Sequence, residues 1–591
     1  MLALAKHSRY DKRPRVDVDG DDRLSVRGWR EIGERLRAAG TRPGAVIAVE
    51  CYPGVLLEEV ERALAEQLRP AALVRSGEAL RPPAELERMV RPFLTDDPVF
   101  GRMNELEVED LWEPSRAAEL RRQVSEECRG LTLVIGTGAA LLAPHADVLV
   151  YADLARWEIQ QRQRRNEIGN LGADNRSETA GLQYKRAFFI DWRVADRLKR
   201  NLLERIDFLL DTNVLGHPQM ITGGDFRRGL ERAVRRPFRV VPFFDPGPWG
   251  GSWMKKRFDL PPDQPNYAWG FDCVPEENSL LLGFGARRVE IPAIDAVFYR
   301  PKDLLGEHVY RRFGGEFPIR FDFLDTMGGG NLSLQVHPLK EYIRSRFGMT
   351  YTQDESYYLL DAGPDACVYL GLEEGIDRAR MAAELWRAQQ GGENFAAERY
   401  VNRWPARKHD HFLIPAGTIH CSGRNSVVLE ISATPYIFTF KLWDWNRLGL
   451  DGRPRPIHLE HGLANIQWDR TTAWVKQNLV SRIEPLGRGR GWQEERTGLH
   501  ELEFIETRRH WFTGPAPHET GGSVNVLNLV EGEEAVVESP ERAFEPFVVH
   551  YAETFIVPAA VGRYTVRPGD GLAGKGECAT IEASVRKGRA D

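Results

Sequence analysis

A short run of polar residues in an otherwise apolar stretch is the first feature with chemical potential. In NLSLQVHP, residues 331–338, a strand's alternation places Gln335 and His337 on one face while Leu334 and Val336 occupy the other. A polar face turned into a protein interior needs a partner. Imidazole and amide groups in this arrangement are candidate metal donors.

Two further donors follow along the chain. Glu355 opens the strand-like run ESYYLL, and His420 follows a turn in which Pro415 and Gly417 set the histidine at the start of the next strand. Any one of these residues could instead be a hydrogen-bonded core side chain, but together they offer two imidazoles, a carboxylate and an amide oxygen. That set suits a divalent ion such as Zn²⁺ and leaves room for water or substrate. The predicted ligands are Gln335, His337, Glu355 and His420.

The elements that must position these residues belong to a chain of several domains. At 591 residues the chain exceeds one ordinary hydrophobic core. AVIAVE at 45–50 is typical of a buried strand and VLLEEVERALAEQL at 55–68 of a helix, and a second such unit includes the strand at 148–151. We therefore expect a parallel α/β architecture over about 1–225.

Beyond Val240 the chain changes to short strand-like runs separated by Pro and Gly turns, which is typical of all-β structure. One helical interruption is predicted at about 377–404. The last hundred residues indicate another small antiparallel sheet, and its segment AETFIVPAAVGRYTV has no histidine or carboxylate cluster at ligand spacing. We expect a structural role for that region.

The central region resembles a known family, the type I phosphomannose isomerases. The resemblance rests on FPIRFDFLDTMGGGNLSLQVHP, ESYYLLDAGPDACVYLG, HDHFLIPAGTIHCSG and VVLEISATPYIFTFKLWDWNR, and it extends over roughly 240–480. It implies cupin (jelly-roll) β-barrels: a metal-binding cupin domain at 236–480 containing the helical insertion, and a non-metal, cupin-like β domain at 481–591.

The same resemblance implies an activity. Members of the family use zinc to interconvert mannose 6-phosphate and fructose 6-phosphate, and their four zinc ligands correspond to the four residues named above. A sugar phosphate is then the expected small-molecule partner. The ion would polarise substrate oxygens while a proton moves between C1 and C2 through an enediol-type species.

Two positions depart from the family pattern. Gln353 stands where the family has a lysine two residues before the glutamate, and Lys441 stands where it has an arginine. Glutamine loses the charge, and lysine loses arginine's planar fork, so recognition of an anionic sugar could be altered. Lys441 is the candidate catalytic residue, with a solvated strand lysine as the alternative.

The N-terminal region resembles P-loop kinases of the uridine-kinase type, with much less specific motifs. AVIAVECYPGVLLEEVERAL corresponds to their opening strand, loop and helix, but Cys51 and Glu58 are among the residues that stand where phosphate-binding groups would fall, and only Gly54 remains. We expect residues 1–235 to form a degenerate P-loop-like α/β domain that acts as a scaffold or dimerisation unit, with an altered nucleotide or sugar-phosphate sensor as the alternative. The arginines of the helix after 151 are expected to be a solvated face, with anion binding as the alternative.

Composition narrows the choice of partners and compartment. Lysines and arginines number 80 against 86 acidic residues, so no basic footprint for nucleic acid is present, and no apolar run is long enough to span a bilayer. We expect a cytoplasmic protein, with homo-oligomerisation left open.

Two functions remain possible from the sequence. One is a zinc-dependent aldose-ketose isomerase that acts on mannose 6-phosphate or on a different or unphosphorylated sugar. The other is a metal-containing cupin that binds a sugar without turnover.

Overall fold

The computed structural model describes residues 8–125, 130–391, 393–572 and 576–587. It divides into two compact units. The α/β unit comprises Arg15–Ala233 and Glu276–Arg300. The β unit comprises the described residues up to Pro14, then Val234–Pro275 and everything described from Pro301 onward. The chain is thus multidomain, and the predicted divisions at 235 and 480 stay predictions.

The α/β unit is built on a seven-stranded sheet. Its strands in spatial order are Ser25–Arg27, Gln219–Thr222, Phe208–Asp211, Val148–Asp153, Val46–Cys51, Thr132–Gly136 and Ala72–Arg75. The first two strands run antiparallel to their neighbours, and the remaining pairs are parallel. A smaller sheet joins Arg15–Asp17, Ser279–Phe284 and Arg287–Pro292.

Helices fill the connections of this unit. Leu57–Leu68 buries Val60, Leu64 and Leu68, which recur every fourth residue and so form one apolar face. The helices are Gly28–Ala39, Leu57–Leu68, Pro83–Leu94, Pro114–Ser125, Ala139–Leu142, Arg156–Arg164, Ala180–Arg186, Trp192–Leu202, Gly223–Ala233 and Ile294–Tyr299. The predicted strand and helix at 45–50 and 55–68 are present, and the P-loop likeness of the unit stays a prediction.

The first part of the β unit contains two antiparallel sheets, both buried over most of their length. The six-stranded sheet has the order His411–Ile414, Glu355–Ala362, Ser426–Ala433, Ile319–Asp325, Trp269–Cys273 and Phe243–Asp245. The five-stranded sheet has the order Val401–Pro405, Cys367–Leu372, His420–Ser422, Leu334–Val336 and Phe440–Trp443. Gln335, Glu355 and His420 lie on strands of this pair of sheets, and His337 directly follows the strand Leu334–Val336.

The last part of the β unit contains another pair. One sheet has the order Glu484–Gly489, Trp492–Gly498, Ile505–Phe512, Cys578–Val585, Asn525–Glu531 and Thr554–Val557. The other has the order Ala516–Glu519, Arg563–Pro568, Glu534–Glu538 and Phe547–His550. Phe512, Leu527 and Phe555 of the first sheet and Val537 and Tyr564 of the second share one hydrophobic core, so the sheets face each other.

Short helices complete the β unit: Trp253–Arg257, Pro301–Leu305, Glu307–Phe313, Lys340–Phe347, Arg378–Gln389, Leu459–Asn465 and Thr472–Asn478. The helical insertion expected at 377–404 is shorter than predicted. Its helix begins after Asp377, whose side chain accepts from the Arg380 N–H, and ends at Gln389. Gly391 then has a φ of +81°, outside the helical range, and the chain is already a strand at Val401–Pro405. Within the described residues no helix is long and apolar enough to cross a membrane.

Candidate metal centre

Short strands from both sheets position the predicted ligands. Gln335 lies on Leu334–Val336 and is paired directly with His420, the first residue of its own strand. His337 follows Gln335 on the same face, as the alternation predicts. Glu355 opens a strand of the facing six-stranded sheet. Residues far apart in the sequence are thereby brought together between the sheets.

Both histidines among the predicted ligands lie within contact distance of Glu355. His337 Nε2 is 3.1 Å from Glu355 Oε2, and His420 Nε2 is 2.7 Å from Glu355 Oε1. Gln335 Nε2 lies 3.3 Å from His420 Nε2. All four side chains are buried. The structure therefore brings together the whole predicted set.

The donor arrangement fits a metal ion. His337 Nε2 and Glu355 Oε1 each lie near an atom of another predicted ligand. Within the described part of the chain, however, neither atom makes a hydrogen bond of acceptable geometry. Contact distance without hydrogen-bond alignment is expected where lone pairs converge on a shared cation. A flip of the Gln335 side-chain amide, which exchanges its nitrogen and oxygen, directs the oxygen to the same point.

Surrounding groups hold the ligands in this orientation. His420 Nδ1 lies 2.8 Å from the Thr418 carbonyl oxygen, and Gln353 Nε2 donates to Glu355 Oε2 at 3.1 Å. A backbone carbonyl at Nδ1 leaves Nε2 of that histidine free to bind metal. Burial by itself would raise the pKa of Glu355, but His337 and His420 outweigh it and hold that pKa well below its usual range. The carboxylate is therefore ionised, which is the form that binds a metal ion.

Lys441 lies beside these ligands. Its backbone is paired with Gln335 in the adjacent antiparallel strand, so the two side chains share a face of the five-stranded sheet. Loss of solvent lowers the pKa of Lys441 to about 7; Arg455 and Arg447 act in the same direction, and Asp444 opposes them. Within the described residues its Nζ makes no hydrogen bond or ion pair, so this amine is available to a ligand in the site.

A second polar group beside Glu355 was not predicted from the sequence. Glu430 is buried on the neighbouring strand, and Gln353 Nε2 lies 3.5 Å from its Oε1. Asp322 is paired with Glu430 on the next strand, and Arg320 contacts both carboxylates. Burial raises the pKa of Glu430, and the nearby carboxylates of Asp322 and Glu355 raise it further. In the sequence, the feature that could have identified Glu430 is its position as a carboxylate inside the apolar run SVVLEIS.

The helix arginines of the α/β unit were expected to be solvated, and for two of them this is wrong. Arg156 and Arg162 are buried. Arg156 pairs with Asp196 at 2.5 Å, while Arg162 donates to the Gly54 carbonyl at 2.9 Å and to the Thr212 carbonyl at 2.5 Å. Arg162 therefore joins the loop after Val46–Cys51, through Gly54, to the chain after Phe208–Asp211, through Thr212, and has a structural role.

Comparisons with known proteins match different parts of the chain. A family model described as a domain of unknown function, DUF8485, matches residues 28–235. The mannose-6-phosphate isomerase of Streptococcus mutans serotype c is 25% identical over 217 residues, which are 36% of this chain and 63% of that protein. The chain thus matches less than two thirds of the length of this relative.

Two solved structures are also similar. The mannose 6-phosphate isomerase from Bacillus subtilis matches with a TM-score of 0.47 and 17% identity, over 59% of this chain and 99% of that one. A zinc-bound mannose 6-phosphate isomerase matches with a TM-score of 0.45 and 16% identity, over 58% of this chain and 99% of that one.

Proposed function

We propose that this protein is a zinc-dependent aldose-ketose isomerase that interconverts mannose 6-phosphate and fructose 6-phosphate. The observation that carries the proposal is the convergence of His337, Glu355 and His420, with Gln335 completing the donor set. The partial similarity to a mannose-6-phosphate isomerase supports the choice of reaction. The proposed fold around the site is a metal-binding cupin.

The donor set favours zinc. Two imidazoles, one carboxylate and one amide oxygen, without thiolate, suit a borderline divalent ion with positions left for exchangeable ligands. When bound there, such an ion polarises the sugar oxygens and stabilises the negative charge that develops on them.

Lys441 is proposed to carry a proton during the reaction. A pKa near 7 allows its Nζ to accept and release a proton at neutral pH, which isomerisation between C1 and C2 requires. In its charged form the same group attracts an anionic substrate. Gln353 orients Glu355, and Glu430 and Arg320 lie on the same face of the six-stranded sheet as Glu355.

A binding protein without turnover is the second candidate. It is favoured by Gln353, whose side chain stands where the family has a cation and donates to Glu355 and Glu430. An isomerase of a different or unphosphorylated sugar is favoured by the same observation, since loss of a cation weakens recognition of a phosphate.

The α/β unit is proposed to be a degenerate P-loop-like scaffold without phosphoryl transfer. Two acidic residues, Glu58 and Glu59, occupy the first turn of Leu57–Leu68, where they oppose anion binding. Arg162 binds the Gly54 carbonyl of the preceding loop. We propose three domains, at 1–235, 236–480 and 481–591.

The test is a coupled assay for fructose 6-phosphate formed from mannose 6-phosphate, before chelation, after chelation and after zinc is restored. Glu355→Gln and His420→Ala should lose both zinc and turnover, while His308→Ala, a histidine of the same unit outside the site, should retain both. If zinc-loaded protein is inactive on mannose 6-phosphate but active on free mannose, the substrate is an unphosphorylated sugar. If it turns over neither sugar but binds one of them, it is a binding protein.

A further inference from the structure

A second cluster of metal-binding residue types lies in the last part of the β unit, away from the site above. His510 is on Ile505–Phe512, His518 on Ala516–Glu519 and Glu582 on Cys578–Val585. One potential ligand atom of each lies within 4.8 Å of those of the other two. All three side chains are buried, so their polar atoms need partners within the protein.

The hydrogen bonds of this cluster leave two imidazole nitrogens unsatisfied. His518 Nδ1 is 2.9 Å from Glu582 Oε2, and the rings of His510 and His518 are in contact, with centroids 3.9 Å apart. Yet His510 Nδ1 and His518 Nε2 are buried without a hydrogen-bond partner among the residues that the structure describes. Two neighbouring histidines with unpaired nitrogens are hard to explain as an ordinary core hydrogen-bond network.

The carboxylate is fixed by neighbours in the manner of a metal ligand. Tyr564 donates its hydroxyl to Glu582 Oε2 at 3.2 Å, and Asn525 Nδ2 donates to Glu582 Oε1 at 3.1 Å. Donors of this kind orient a ligating carboxylate while leaving lone pairs for an ion. The ring of Tyr564 also stacks on His518, with centroids 5.0 Å apart, which limits rotation of the imidazole.

Like the first site, the cluster draws its residues from the two facing sheets of one pair. His510 and Glu582 come from the six-stranded sheet and His518 from the facing four-stranded sheet. The distribution differs from the first site, where Glu355 comes from one sheet and His420 from the sheet that faces it. Both sites have the same ionisable donors, two histidines and one glutamate.

We propose that His510, His518 and Glu582 bind a second divalent transition-metal ion of the Zn²⁺ type. Two imidazole nitrogens and one carboxylate select such an ion over Mg²⁺ or Ca²⁺, which prefer oxygen donors alone. Of the three residues, Glu582 lines a cleft of about 1090 Å³ together with Asn525, so the carboxylate side of the cluster borders this cleft. The ion would connect strands of both sheets and so stabilise this part of the β unit.

The experiment counts zinc in the full chain. Protein is loaded with excess zinc, freed of unbound metal by gel filtration and measured by mass spectrometry of the metal against protein concentration. The two sites are separated by variants: H420A removes a ligand of the first, H518A removes one of the second, and the double variant removes one of each. H550A is the matched control, since His550 is a histidine of the same pair of sheets outside the cluster.

Wild type and H550A should each hold two zinc ions per chain, H518A and H420A one each, and the double variant none. Zinc should also raise the melting temperature of H420A but not of the double variant. One zinc ion in wild type, with none lost in H518A, would overturn the second site while leaving the first intact. If H518A does not fold, E582Q replaces it, because an amide can still hydrogen-bond to Asn525 and Tyr564. Co²⁺ absorption of E582Q should then show one site fewer than wild type, and unchanged absorption would overturn the proposal.

Discussion

The backbone N–H of Gly417 donates to the carbonyl oxygen of His337 at 2.9 Å. This bond joins the turn before His420 to the strand end that carries His337, so two of the proposed ligands are positioned by one backbone contact. Gly417 has a φ of +85°, which side chains other than glycine's rarely adopt.

Replacement of Gly417 by alanine should therefore destabilise the protein and weaken metal binding. A Cβ there would lie 2.8 Å from Gln467 Cγ and from Leu339 Cδ2, and 2.9 Å from the Asn465 carbonyl oxygen. Strained backbone plus this crowding should cost about 2 kcal/mol in the free energy of unfolding. Denaturant unfolding and zinc titration are the measurements.

Gly375→Ala is the matched control for this prediction. Gly375 has a similar φ of +68°, but no atom lies within 4 Å of the Cβ position. The Gly375→Ala variant should lose about 1 kcal/mol in the free energy of unfolding and keep its zinc affinity unchanged. Equal losses of zinc affinity in the two variants would show that the Gly417 turn has no special part in positioning the ligands.

Gln353→Leu should reduce zinc affinity without removing a ligand. The variant keeps a similar volume but loses the N–H that donates to Glu355 Oε2 at 3.1 Å. Loss of a group that orients a ligand typically costs 10- to 100-fold in affinity, so a decrease of about that size is expected. Competition with a chromogenic chelator measures it, and Gln493→Leu, at an exposed strand position, is the control. Unchanged affinity in Gln353→Leu would contradict an orienting role.

Lys441→Met should retain zinc and lose turnover. The variant removes the Nζ whose pKa is about 7, while the ligand set stays intact. A proton-transfer group contributes roughly 10²- to 10⁴-fold, so kcat should fall by about that factor. Lys441→Arg should also lose kcat while KM changes less, because the guanidinium keeps the charge but does not release its proton. Lys476→Met, on an exposed helix position, is the control, and wild-type kcat in Lys441→Met would exclude proton transfer by this residue.

The stability of the fold should fall in mild acid, in part through His411. Burial lowers the pKa of His411 from 6.5 to about 3, and Arg509 adds to the effect. Between these two values the unfolded chain binds a proton that the folded chain does not. Stability from this residue is therefore complete above about pH 6.5 and is lost as the pH falls toward 3.

His411→Gln should remove this contribution. The slope of unfolding free energy against pH, measured between pH 4 and 6 by denaturant titration, should decrease by about 1 kcal/mol per pH unit. An unaltered slope in His411→Gln would mean that His411 is protonated in the folded protein.

The sequence by itself determined the four candidate ligands of the first site. The alternation of side chains along a strand put Gln335 and His337 on one face, and Glu355 and His420 were each predicted at the start of a strand. Both predictions depend only on local backbone geometry, which a few neighbouring residues specify. The sequence also predicted that the first unit is α/β and the second mainly β, because the spacing of apolar residues indicates whether a segment is a helix or a strand and which face it buries.

Only the tertiary structure decided what surrounds these ligands. The environment of Lys441, the hydrogen bond from Gln353 and the burial of Arg156 and Arg162 depend on pairing between strands and helices that are remote in the chain. The cluster of His510, His518 and Glu582 is the clearest case. Its members share no short motif, and they converge because three strands of two facing sheets fold over one core. Local periodicity specifies the face of a strand, whereas strand order and register decide which residues meet across it.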